Sequence, residues 1–162
     1  MKAPISTTYL AAAALALGGC QASAPLFTAQ DEATVRGMFD ATVTNLRAGN
    51  WDKWSQQFTE SAVLQPPNAK PLNGRPALLA WIKAFPPIED VSFSSVSVTG
   101  EGNMAYGSSA YALKIKGAPA DTGKQLVVFR RSASGTWEIP AVSFSSDLPL
   151  PGATPPKPTA KK

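Results

Sequence analysis

Near residue 88 the apolar residues of this chain change their spacing, and no other feature restricts the fold as much. Most of the chain before that point carries them every three or four residues, the period of a helix with one buried face. After it they alternate, the period of a strand. Helices are therefore expected first and a run of strands joined by short turns afterwards. The 162 residues suit one domain.

A helix is expected over residues 28–48, where Val35, Met38, Phe39, Thr42, Val43 and Leu46 make one stripe. Thr28 or Gln30 can start it, Asp31 and Glu32 suit its first turn, and Gly49 ends it. Asn50 is expected to cap a short second helix carrying Trp51, Trp54 and Phe58. Residues 60–66 read as a strand. The prolines and Asn73-Gly74 after it read as a loop. Arg75-Pro76 opens a third helix with Leu78, Leu79, Ile82 and Phe85 on its buried face and Trp81 beside them. Strands are then expected at 90–99, 104–116, 124–132 and 136–146. The apolar phase slips at Ser94-Ser95, which predicts a bulge, and Pro140 predicts a bulge or an edge.

Composition removes several chemistries. The chain has no histidine and one cysteine, Cys20. An imidazole base, a Ser-His-Asp or Cys-His triad, a His/Cys zinc site and an internal disulfide are excluded. No cofactor and no metal site are implied. Of the fifteen basic residues, Lys2 lies in the first 19 positions and Lys157, Lys161 and Lys162 in the last 13. Residues 20–149 thus hold eleven bases against eleven acids, and the only adjacent bases are Arg130 and Arg131. Nucleic acid, which needs a basic face or arm, is not an expected partner.

The N-terminus reads as an address. Lys2 precedes an apolar run over residues 9–17, too short to span a bilayer, which takes about 20 residues. Leu17-Gly18-Gly19-Cys20 then resembles the bacterial lipobox, in which the cysteine becomes the lipidated first residue. The alternative is an ordinary signal peptide cut after Ala22-Ser23-Ala24, but Pro25 disfavours cleavage there. The resemblance implies a signal peptide at 1–19, lipidation at Cys20, a tether at 20–27 and anchoring of the domain to a membrane by acyl chains. Gln21, not Asp, follows the cysteine. By the sorting tendency of enteric lipoproteins this implies the bacterial cell envelope, at the periplasmic face of the outer membrane. Residues 150–162, with Pro149 before them, are proline-rich and aperiodic, and a disordered Pro/Lys tail is expected.

The order of two helices, a strand, a Pro/Gly loop, a third helix and a four-strand meander resembles the nuclear transport factor 2-like superfamily, which includes ketosteroid isomerases and SnoaL-like proteins. Local matches are Ala48-Gly49-Asn50-Trp51, residues 62–67 (AVLQPP), residues 72–77 (LNGRPA), Asp121-x-Gly123-Lys124, residues 126–130 (LVVFR), Gly135-x-Trp137-x-Ile139 and residues 146–149 (SDLP). They resemble most the SnoaL-like branch and cover residues 28–149. The resemblance implies a cone-shaped α+β fold, three helices packed on a curved, mostly antiparallel sheet. It also allows a check of proton-handling positions. The isomerases' catalytic Asp corresponds to Gln65, their oxyanion-stabilising Tyr to Thr42, and an acid common in SnoaL-like chains falls near Val142. None of the three can serve as a general base at neutral pH, so no catalytic residue is assigned.

The acids Asp40, Asp52, Glu60, Glu89 and Asp90 are expected at element ends or on exposed faces. Glu138 alternates with Trp137 and Ile139 and is expected to face away if those two face the helices. A pocket between helices and sheet is expected to be walled by Trp54, Phe58, Trp81, Phe85, Tyr111, Phe129 and Trp137, with Gln65 and Tyr106 as its polar groups. The expected function is binding of a small apolar or amphipathic molecule without catalysis. The alternatives are an isomerase, dehydratase or cyclase using an unplaced acid, and a homodimer or other interaction module formed through the open sheet face around Ser92, Ser94, Ser97, Ser108 and Lys114.

Overall fold

A computed structural model describes residues 26–149. The expected signal peptide 1–19, lipidation site Cys20, nearly all of the tether 20–27 and the tail 150–162 lie outside the described residues.

The first helix, α1, spans Ala29–Arg47. Thr28 caps it: its hydroxyl accepts the Asp31 backbone N–H at 3.2 Å, and its own N–H donates to the Asp31 carboxylate at 2.9 Å. Gly49, at φ +66°, turns the chain out of the helix in a conformation a side chain would resist. The second helix, α2, is Trp51–Ser55. Asn50 precedes it but makes no side-chain capping bond, and Phe58 belongs to the next strand, not to this helix. Strand β1 is Phe58–Gln65, and β2 is the two-residue Leu72–Asn73 within the expected loop. Helix α3, Arg75–Lys83, has proline in its first turn and buries Leu78 and Ile82. Strands β3 (Ile88–Glu101), β4 (Met104–Ile115), β5 (Asp121–Arg131) and β6 (Trp137–Ser146) complete the chain.

The six strands form one sheet in the order β2-β1-β6-β5-β4-β3. Every pairing is antiparallel except β1 with β6. The sheet is thus mostly antiparallel with one parallel pair. The register of β3 against β4 shifts between Ser94 and Ser97, and Ser95 has φ +52°, so the predicted bulge is present. Strand β6 is interior, which removes the edge alternative for Pro140. A register shift opposite Val128–Arg130 instead accommodates the missing N–H as a bulge.

The helices cover one face of the curved sheet. Val35 and Phe39 of α1, Leu78 of α3, and Phe129 and Ile139 of the sheet are almost inaccessible to solvent. Burying each of the larger side chains contributes about 1.5–3 kcal/mol. No helix among the described residues is long and apolar enough to cross a membrane.

Candidate functional site

Between the helices and the inner face of the sheet the core is incomplete. A cavity of about 130 Å³ remains. Met38, Thr42 and Leu46, one helical turn apart on α1, form one wall. Trp54, Phe58, Trp81, Ile82 and Phe85 form a second. The floor is the sheet, where alternate residues turn inward: Val91 and Phe93 of β3, Tyr111 and Leu113 of β4, Val127 and Phe129 of β5, and Val142 and Phe144 of β6. Trp81, Phe85, Ile88 and Phe144 are only partly buried and mark the side open to solvent.

Three side chains in this wall are polar, those of Thr42, Gln125 and Tyr111. The Thr42 hydroxyl lies 2.9 Å from the Met38 carbonyl and 2.7 Å from Gln57 Oε1, while Gln57 Nε2 is buried without a partner. Gln125 donates to the Ser109 hydroxyl at 2.9 Å. Tyr111 donates to Asp121 Oδ2 at 3.0 Å, and Asp121 Oδ1 accepts from Ser146 at 2.7 Å. Burial, then the bond to Asp121 and its negative charge, pushes the Tyr111 phenol well above its ordinary range. The ring of Tyr111 lies against Gly123, where a Cβ would fall 2.6 Å from the ring and collide with the Ser145 carbonyl. That contact accounts for the glycine of the Asp-x-Gly-Lys motif. No aspartate, glutamate, lysine, arginine or cysteine lines the cavity, and no cluster of metal-ligating side chains occurs among the described residues.

Of the expected pocket residues, Trp54, Phe58, Trp81, Phe85, Tyr111 and Phe129 line this cavity. Gln65 and Tyr106 do not. Leu64 is the inward neighbour of Gln65, which is exposed and lies opposite Ser143 on the outer face. Tyr106 is 49% exposed. It sits five residues from Tyr111, and an odd separation along an unbroken strand puts two side chains on opposite faces. Trp137 faces inward but lies past the end of the cavity. Its Nε1 donates to Asp31 Oδ1 at 3.1 Å, and Phe27 meets its ring edge-on at 5.7 Å. Arg131 lies over the same ring at 4.9 Å and pairs with Asp31 at 2.6 Å. The Thr28 hydroxyl, its N–H, then Trp137 and Arg131 hold the Asp31 carboxyl well below the usual carboxylate range, against the effect of desolvation.

Of the three proton-handling positions, Thr42 and Val142 are in the cavity wall and Gln65 is outside. Glu138 stands opposite Arg130 between the buried Trp137 and Ile139, so it turns away from the helices. Sequence reasoning missed Met38, Leu46, Gln125 and Phe144 as wall residues. The even spacing of Gln125, Val127 and Phe129 was the available signal.

The SnoaL-like domain family matches residues 27–139. A search of curated proteins gives no match. Among solved structures, an NTF2-like protein of unknown function from Pseudomonas putida KT2440 superposes with a TM-score of 0.68 at 14% identity, over 81% of this chain and 99% of that one. A ketosteroid isomerase-like protein from Erwinia carotovora atroseptica SCRI1043 gives 0.63 at 17% identity, over 75% and 100%. An NTF2-like protein with a cystatin-like fold from Novosphingobium aromaticivorans gives 0.64 at 16%, over 76% and 84%. At these identities the likeness is one of fold.

Proposed function

We propose that this chain, which belongs to the SnoaL-like domain family, is an exported, lipid-anchored domain that holds a small apolar or amphipathic molecule in its cone-shaped interior without transforming it. The observation that carries the reading is the chemistry of the cavity wall. It is almost wholly aliphatic and aromatic, its one ionisable side chain is Tyr111, and that phenol already donates to Asp121. A general acid or base working at neutral pH needs a pKa near 7, and the Tyr111 phenol is displaced away from it. An apolar space with a few polar groups is the usual form of a small-molecule site. Dry apolar cavities of roughly 150 Å³ accept a single aromatic ring, which sets the ligand's scale. Gln125 and Thr42 are the groups that would meet a polar end.

Native mass spectrometry of the protein extracted from membranes, with thermal shifts against uncharged aromatic and short-chain compounds, tests this. Retained mass or stabilisation is expected, and Val127→Trp, which fills the space, should abolish both. No retained mass and no shift across the panel would count against binding. Measured turnover that is lost in Tyr111→Phe or Gln125→Leu, two polar groups of the wall, would favour the enzyme alternative instead.

A second reading has its own observation. Met104, Tyr106 and Leu126 are each about half exposed on the outer sheet face, and a cluster of exposed apolar side chains there suits pairing with a second copy. A dimer by light scattering that Leu126→Asp converts to monomer is the expected result, and a monomer at all concentrations removes the reading.

A further inference from the structure

We infer that in the anchored protein the mouth of the cavity cannot point straight at the lipid leaflet that holds the anchor. This rests on the proposed anchoring at Cys20. The chain is pinned at the closed end from Phe27 onward. Phe27 stacks edge-on against Trp137 and lies so close over Gly100 that a Cβ there would come within 2.5 Å of its ring. Thr28 is bonded to Asp31, and Asp31 in turn to Trp137 and Arg131.

Helix α1 measures the distance from that end to the mouth. Its first residue to line the cavity is Met38 and its last is Leu46, while Arg47 bonds the Val91 carbonyl and Asp90 at the far end. Nineteen helical residues span about 28 Å. Cys20 precedes Leu26 by six residues, and six fully extended residues reach at most about 22 Å. A mouth turned to the leaflet would hold Leu26 a full helix length above it, which is out of reach. Upright and tilted placements are within reach. The ligand therefore does not enter head-on from the leaflet that holds the anchor. The far end of the described chain leaves beside the mouth, where Ser146 and Asp147 bond Asp121 and Thr122.

The test uses the ¹⁵N-labelled chain from Cys20 onward, which includes every described residue, coupled through its only cysteine to a maleimide lipid in nanodiscs. Paramagnetic gadolinium-chelate lipids are then added. The amides of Asn103 and Gly135, in the turns at the closed end, are expected to lose several-fold more intensity than those of Lys116 and Gly117 at the mouth. Doubling the tether with Gly-Ser should reduce the contrast. Reversed losses with the native tether would overturn the proposal. The mass of the native mature chain tests the anchor separately. Unacylated Cys20 sinks the anchoring and the orientation with it, whereas a reversed contrast on nanodiscs sinks the orientation alone.

Discussion

Asp31 ties the N-terminus of α1 to the start of β6. Its place in a first helical turn was readable from sequence, since acids are favoured there. Its bond to Trp137 was not, because the two are 106 residues apart. With its carboxyl held below the ordinary range, the ionised form stabilises the fold fully above the unfolded value of about 4. That stabilisation is lost as pH falls through the folded value. Asp31→Asn is expected to lower Tm at neutral pH and to flatten the decline of Tm between about pH 5 and pH 2. Differential scanning fluorimetry across that range checks it, and an unchanged acid limb would remove this role. The misplacement of Tyr106 has a local cause as well. Between Ala105 and Gly107 it is the only large side chain, so hydrophobicity pointed it inward, while its odd spacing from Tyr111 sent it out.

At the scale of elements, helices and long strands were readable because their signals are local: an apolar period, a proline in a first turn, glycines at ends. Strand β2 was not, since two residues extend only because β1 offers them partners. Asn50 has the right residue type for a cap but makes no capping bond. Thr28 does cap α1, and Thr28→Ala is expected to cost about 1 kcal/mol, read as a lower urea midpoint with an unchanged slope. Gly123→Ala should cost more, about 1–3 kcal/mol for overpacking, because its Cβ meets the Ser145 backbone and not a flexible side chain. A midpoint within error of wild type would show that β5 and β6 yield there.

For the whole molecule, the division between packed core and open cavity sets where stability and binding reside. Phe129 touches both but is 1% exposed, and Phe129→Ala is expected to cost about 3–5 kcal/mol in denaturation. Trp81, partly buried at the open side, should cost clearly less as Trp81→Ala while weakening ligand stabilisation as much. Equal losses of stability would place Trp81 in the core. Local spacing was enough to establish the order of the helices and long strands, the bulge at Ser94-Ser95 and most of the aromatic wall, because each depends on neighbours within a few residues. It took the folded chain to make β1 run parallel to β6, to turn Gln65 and Tyr106 outward, and to carry Trp137 past the cavity to Asp31. Those outcomes depend on register and on contacts between distant residues, and a one-residue change of register reverses every side chain on a strand.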